Sequence, residues 1–97
     1  MSNGSSNAPF ESMRVTTVTD GVAQVFTWDE DARIEVRNLG STVVVEANAA
    51  GLRTLAGHLL TLANDGVPDG SHLHLEDGNG LVEGSAELVL ERCDDET

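Results

Sequence analysis

Two runs near the start of the chain, residues 13–19 (MRVTTVT) and 22–28 (VAQVFTW), consist largely of β-branched and aromatic side chains and are separated by Asp20-Gly21. Such residues fit a pleated, half-buried surface, and the Asp-Gly pair readily takes positive φ at a two-residue turn, so the pattern predicts a β-hairpin. A second hairpin follows. Residues 31–37 alternate Ile34 and Val36 against Arg33, Glu35 and Arg37, then Asn38-Leu39-Gly40-Ser41 turns the chain into residues 42–47 (TVVVEA). The apolar period then changes. Leu52, Leu55, Ala56, Leu59, Leu62 and Ala63 recur at spacings of three and four, which predicts an amphipathic helix capped by Asn48 and ended by Gly66 and Pro68. Gly57 in mid-helix costs up to about 1 kcal/mol relative to alanine, and a close approach to the sheet would account for it.

Beyond the helix, residues 71–76 place Leu73 and Leu75 on one face and His72, His74 and Glu76 on the other. Residues 85–91 repeat this, with Ala86, Leu88 and Leu90 opposite Glu87, Val89 and Glu91. The connection from Asp77 to Gly84 carries three glycines and is long for a hairpin, so it is expected to be a mobile loop or a binding surface. The order β-β-β-β-α-β-β predicts an α+β fold, a mostly antiparallel sheet of about six strands with one helix packed on one face. The other face then carries Arg33, Glu35, Arg37 and Glu46 together with the His72, His74, Glu76, Glu87 and Glu91 set. Residues 1–12 read as a flexible leader, 13–92 as one domain and 93–97 as an acidic tail.

Charge narrows the function. The net charge is −12, and from Asp65 onward ten acids face a single base, Arg92. Nucleic acids and anionic membranes would have to be approached against like-charge repulsion, so the expected partner is a basic protein. The single cysteine, Cys93, cannot pair within the chain. With no signal-peptide core and no apolar run of membrane length, a cytoplasmic location is expected.

Several constellations invite chemistry. His72-x-His74-x-Glu76, with Glu87 or Glu91 from a neighbouring strand, has the donors for a metal ion, but the same pattern is what any half-exposed strand shows. The polar surface is the preferred reading, and neither a metal nor a cofactor is expected. Carboxylate pairs drawn from Glu76, Asp77, Glu83 and Glu87 could serve acid-base catalysis only within a water-excluding cleft, for which three aromatics and no tyrosine provide little material. Ser71 beside His72 is not a triad, Asp77-Gly78-Asn79-Gly80 lacks the rest of a calcium loop, and no catalytic residue is assigned. His58 reads as a structural histidine. Trp28 beside Asp29-Glu30-Asp31 becomes an interface anchor if it is exposed.

Gly51-Leu52-Arg53-x-Leu55-Ala56-x-His58-Leu59-Leu60-x-Leu62-Ala63, then Val67-Pro68-x-Gly70-Ser71-His72-x-His74-Leu75 and Gly84-Ser85-x-Glu87-Leu88-Val89-Leu90-Glu91, resemble the small bacterial immunity proteins of the immunity protein 32 family. The resemblance spans about residues 46–91. It implies a cytoplasmic protein that binds and neutralises a toxin. On that expectation Glu76, Asp77, Glu83, Glu87 and Glu91 pair with basic residues of the toxin while His72 and His74 hydrogen-bond at the same surface. Two alternatives are a metal-dependent site on the His-x-His strand and a structural subunit that self-associates through a sheet edge. Oligomeric state is left open.

Overall fold

The computed structural model describes residues 13–94, so the expected leader and the last three residues of the expected tail lie outside it. Its elements are β1 (Arg14–Thr19), β2 (Val22–Thr27), β3 (Ile34–Asn38), β4 (Val43–Ala47), α1 (Ala49–Ala63), β5 (His72–Asp77), β6 (Gly80–Leu81) and β7 (Leu88–Glu91). The fold is α+β. The ladders form two hairpins, β1-β2 and β3-β4, and a three-stranded sheet in the order β6-β5-β7.

Asp20 and Gly21 take positive φ of 51° and 79°, and the register runs from Thr19 opposite Val22 to Arg14 opposite Thr27. One face of β2 buries Gln24 and Phe26 while Val25 stays exposed. In the second hairpin the Leu39 N–H donates to the Thr42 carbonyl (2.8 Å), and Gly40 supplies the positive φ that the turn requires. Ile34 and Val36 point into the core, whereas Arg37 reaches Glu46 (2.8 Å) on the outer side, an exposed pair worth at most about 1 kcal/mol.

The connection after β5 departs from expectation. It is not an open loop throughout, because it carries the short strand β6 and then runs beside β3, although Asp77, Gly78, Asn79, Glu83 and Gly84 stay exposed. The Val82 N–H donates to the Ile34 carbonyl (2.9 Å), the Ala86 N–H to the Val36 carbonyl (2.8 Å), and the Val36 N–H to the Ser85 hydroxyl (3.1 Å). These bonds join the second hairpin to the C-terminal sheet and leave β7 only four residues long. The residues before Leu88 are already committed to β3.

Helix α1 starts where Asn48 holds it. Its Oδ1 accepts from the Gly51 N–H (2.7 Å) and the Arg33 N–H (3.0 Å), while its Nδ2 donates to the Asp31 carbonyl (2.9 Å). One side chain thus caps the helix and ties it to the entry of β3. The helix stops at Asn64, after which Gly66 takes positive φ (85°). Arg92, arriving from beyond β7, donates to the carbonyls of Leu62 (3.0 Å) and Asn64 (2.8 Å), placing a cation at the negative end of the helix.

The face that α1 buries is not the expected one. Gly51, Thr54, His58 and Leu62 are buried, while Leu52, Leu59 and Leu60 are 54%, 52% and 67% exposed. The helix is turned by roughly a quarter turn from the leucine-centred orientation. The close approach that the sequence suggests for Gly57 occurs instead at Gly51, where an added Cβ would collide with the Arg33 carbonyl oxygen and lie 3.0 Å from Ile34 Cγ1. A Cβ added at Gly57 would meet, beyond its own helix backbone, no atom of the described residues within 4 Å. Gly57→Ala should therefore stabilise the fold by about 0.5–1 kcal/mol, measured as a higher urea midpoint. A lower midpoint would show that Gly57 has a structural role.

The core consists of Phe26, Trp28, Ile34, Val36, Leu62, Leu73, Leu75 and Leu81. Every strand from β2 to β6 except β4 contributes to it, with Leu62 descending from the helix.

Candidate functional site

Strict alternation in β5, and the pairing of His72 with Glu91 and His74 with Val89, bring the predicted polar side chains together on the sheet face opposite the leucine core. His72, His74, Glu76, Glu87, Val89 and Glu91 are all exposed. His74 Nδ1 lies 3.1 Å from Glu87 Oε2, and the two imidazoles meet edge to face with centroids 5.1 Å apart. The Nδ1 of His72 sits 3.1 Å from the Gly70 carbonyl. Asp77 belongs elsewhere: its carboxylate accepts the Gly84 N–H (2.9 Å) and closes the loop. Glu83 is exposed in that same segment.

Among the described residues, no three His, Cys, Asp or Glu side chains converge closely enough to hold a metal ion. The His72-His74-Glu76 strand is a row of exposed polar groups. Ser71, next to His72 in sequence, is fully buried while His72 is exposed, so the two do not form a reacting pair.

Trp28 is 6% exposed, and the condition on its anchoring role fails. Its indole packs against Gly80 and donates to the Gly80 carbonyl (3.0 Å), making it a core residue. His58 is 1% exposed and lies edge-on to Trp28 (4.4 Å) and Phe26 (5.5 Å). Burial lowers its pKa from 6.5, because desolvation disfavours the imidazolium. Below about pH 6.5 the unfolded chain takes up a proton that the folded chain resists, so this contribution to stability is complete above that pH and declines as pH falls toward the lowered folded value. His58→Leu should flatten the decline and raise neutral-pH stability by about 1–2 kcal/mol, since the buried imidazole Nε2 has no hydrogen-bond partner among the described residues. Urea titrations of both proteins from about pH 7.5 to 5 check this. Parallel curves would remove His58 as the source.

Sequence reasoning missed the exposed side of α1. Leu52, Ala56, Leu59 and Ala63 form a stripe that the pattern assigned to the core, yet all four are exposed. Where this stripe nears β7 there is an open groove of about 560 Å³ lined by Leu59, Leu62, Ala63, Val89 and Leu90, with Glu91, Arg92 and Asp94 at its rim. The available signal was that α1 carries one charged residue, Arg53, in fifteen positions. A helix apolar on more than one side cannot bury every leucine against a single sheet.

A family model described as immunity protein 32 matches residues 42–93, more than half of the chain. The chain belongs to the immunity protein 32 family. No curated protein and no solved structure matches it significantly. The immunity protein 32 match covers β4, α1 and the whole of the β6-β5-β7 sheet, and so includes both the polar face and the helix groove. Trp28 lies outside it. Among the described residues, no helix is long and apolar enough to cross a membrane.

Proposed function

We propose that this immunity protein 32 family member is a cytoplasmic, non-enzymatic protein that neutralises a cognate toxin by binding it directly. The family membership carries the reading. It is supported by a charge of −12 and by carboxylates displayed on a rigid sheet. Glu76, Glu87 and Glu91 on the outward face, joined by Glu83 exposed in the connection after β6, resemble a spaced array of phosphates. Such an array suits a toxin whose active surface is basic because its substrate is a polyanion, as in a nuclease. His72 and His74 add hydrogen-bonding groups to the same face. Burying carboxylates against Lys and Arg favours fast encounter, while closely packed apolar contacts set the lifetime of the complex.

Co-expression with candidate toxins drawn from the genes that flank this one tests the reading, with cell survival as the outcome. Purified components should associate at a rate that falls at least about tenfold between low and high salt. Reversing Glu87 and Glu91 to lysine should slow association and leave the fold intact, because both side chains are exposed. Failure to protect cells, or an association rate indifferent to salt, would overturn it.

A further inference from the structure

Strand β7 ends its sheet: among the described residues it pairs with β5 and with no other strand. In an antiparallel ladder, alternate residues direct their N–H and C=O groups at the partner strand. The Arg92 N–H donates to the Ser71 carbonyl (2.8 Å), which sets the phase: Arg92, Leu90 and Leu88 face β5, while Val89 and Glu91 present their backbone groups to the open side. Natural sheet edges are usually blunted by lysine, proline, a bulge or a cover. The sequence Leu-Val-Leu-Glu of β7 has neither lysine nor proline, and its protections are its length of four residues and the charge of Glu91, which repels an anionic strand but not a cationic one. Beside that edge lies the groove walled by Leu59 and Ala63 and floored by Leu62 and Leu90.

Resting on the reading that this chain acts by binding a protein, we infer that the groove between α1 and β7 receives an extended segment of the partner, which adds to the sheet as a strand. Strand geometry dictates the chemistry of that segment. Side chains turned toward α1 meet Leu59 and Ala63 and are apolar; those turned the other way lie beside Glu87 and Glu91 and are Lys or Arg. Charge also selects among occupants. Antiparallel pairing with a second copy centred on Val89 would set Glu87 opposite the copy's Glu91 on both sides of the axis, and −12 against −12. The base at the rim, Arg92, is taken up by Asp94 (2.9 Å) and the helix carbonyls, which leaves Glu87 and Glu91 unmatched. A cationic strand meets neither penalty.

The probe is a synthetic seven-residue peptide alternating lysine and valine, titrated into the isotope-labelled full chain. A peptide of the same composition, N-methylated at the residues that would face β7, serves as its control. The expected result is saturable binding in which the Val89 and Glu91 amides become protected from exchange, with about tenfold weaker binding of the N-methylated peptide for loss of backbone hydrogen bonds. Leu59→Ser, a change at an exposed position, should weaken binding of the unmodified peptide about fivefold by removing the apolar wall. Val89→Pro deletes an outward donor without touching the β5 ladder and should have a similar effect. Perturbations confined to His72, His74 and Glu76, or equal binding of both peptides, would overturn the inference. So would protection of Val89 and Glu91 in the free chain, whether it is lost on dilution, as for a second copy, or on deleting residues 1–12. If the cognate toxin is neutralised equally well by Leu59→Ser and Val89→Pro, the groove is excluded and the proposed function stands. If the peptide docks but no toxin is neutralised, the reverse holds.

Discussion

Replacing Gly51 by alanine should destabilise the fold by about 3 kcal/mol and lower the thermal midpoint by more than roughly 10 °C. The added methyl would strike the Arg33 carbonyl oxygen, a backbone atom already fixed by the Asn48 N–H (3.1 Å), with Ile34 Cγ1 behind it. Neither neighbour can yield without shifting the entry of β3. The same substitution six residues along, at Gly57, relieves an entropic cost and meets nothing. The two variants should therefore move thermal midpoints in opposite directions, although one chemical change is made twice in a single helix. An unaltered midpoint for Gly51→Ala would mean that α1 does not lie against β3 as described.

A comparable loss, again about 3 kcal/mol, is expected for Gly80→Ala. Gly80 has a φ of 101°, and a Cβ there would stand 2.7 Å from Trp28 Cζ2 and 3.1 Å from Leu75 Cδ2. The backbone penalty of a positive φ and the steric displacement of the indole act together. Trp28 is the chain's single tryptophan, so its fluorescence reports the event directly. Emission should shift to longer wavelength as the ring moves toward water, and the near-ultraviolet dichroism should weaken. Gly78→Ala is the control: its φ is also positive (74°) but the space around it is open, so only a backbone cost of about 1–2 kcal/mol is expected. Identical spectra for wild type and Gly80→Ala would contradict the packing of Trp28.

Much of this architecture is legible in the residues, for identifiable reasons. Asp20-Gly21 between two β-branched runs specifies the first hairpin through local backbone preference alone, and Asn48 and Gly66 bracket the helix in the same way. The polar face of β5 follows from strict alternation. What the pattern could not show is the rotation of α1. Fifteen positions with one charge offer more than one apolar face, and the choice falls to a long-range fact, the room that Gly51 leaves for Arg33. Residues 77–84 depend on a long-range contact as well. Three glycines look like freedom, yet Gly78, Gly80 and Gly84 each hold a positive φ within a connection fastened to β3. Trp28 was ambiguous because its carbonyl partner lies fifty-two positions away. The candidate site was thus half legible: its carboxylates and imidazoles from periodicity, its groove only from the packed helix.

The attachment of residues 82–86 to β3 bears on when this molecule becomes complete during synthesis. Translation delivers Val82 and Ala86, the acceptors' partners for Ile34 and Val36, long after those residues have emerged, and Arg92 reaches the end of α1 later still. A nascent chain lacking them leaves Ile34 and Leu62 with an unfinished interior, and such sequence-distant closure is slow relative to local folding. On the proposed function, the cell is guarded by finished molecules, not by chains still on the ribosome.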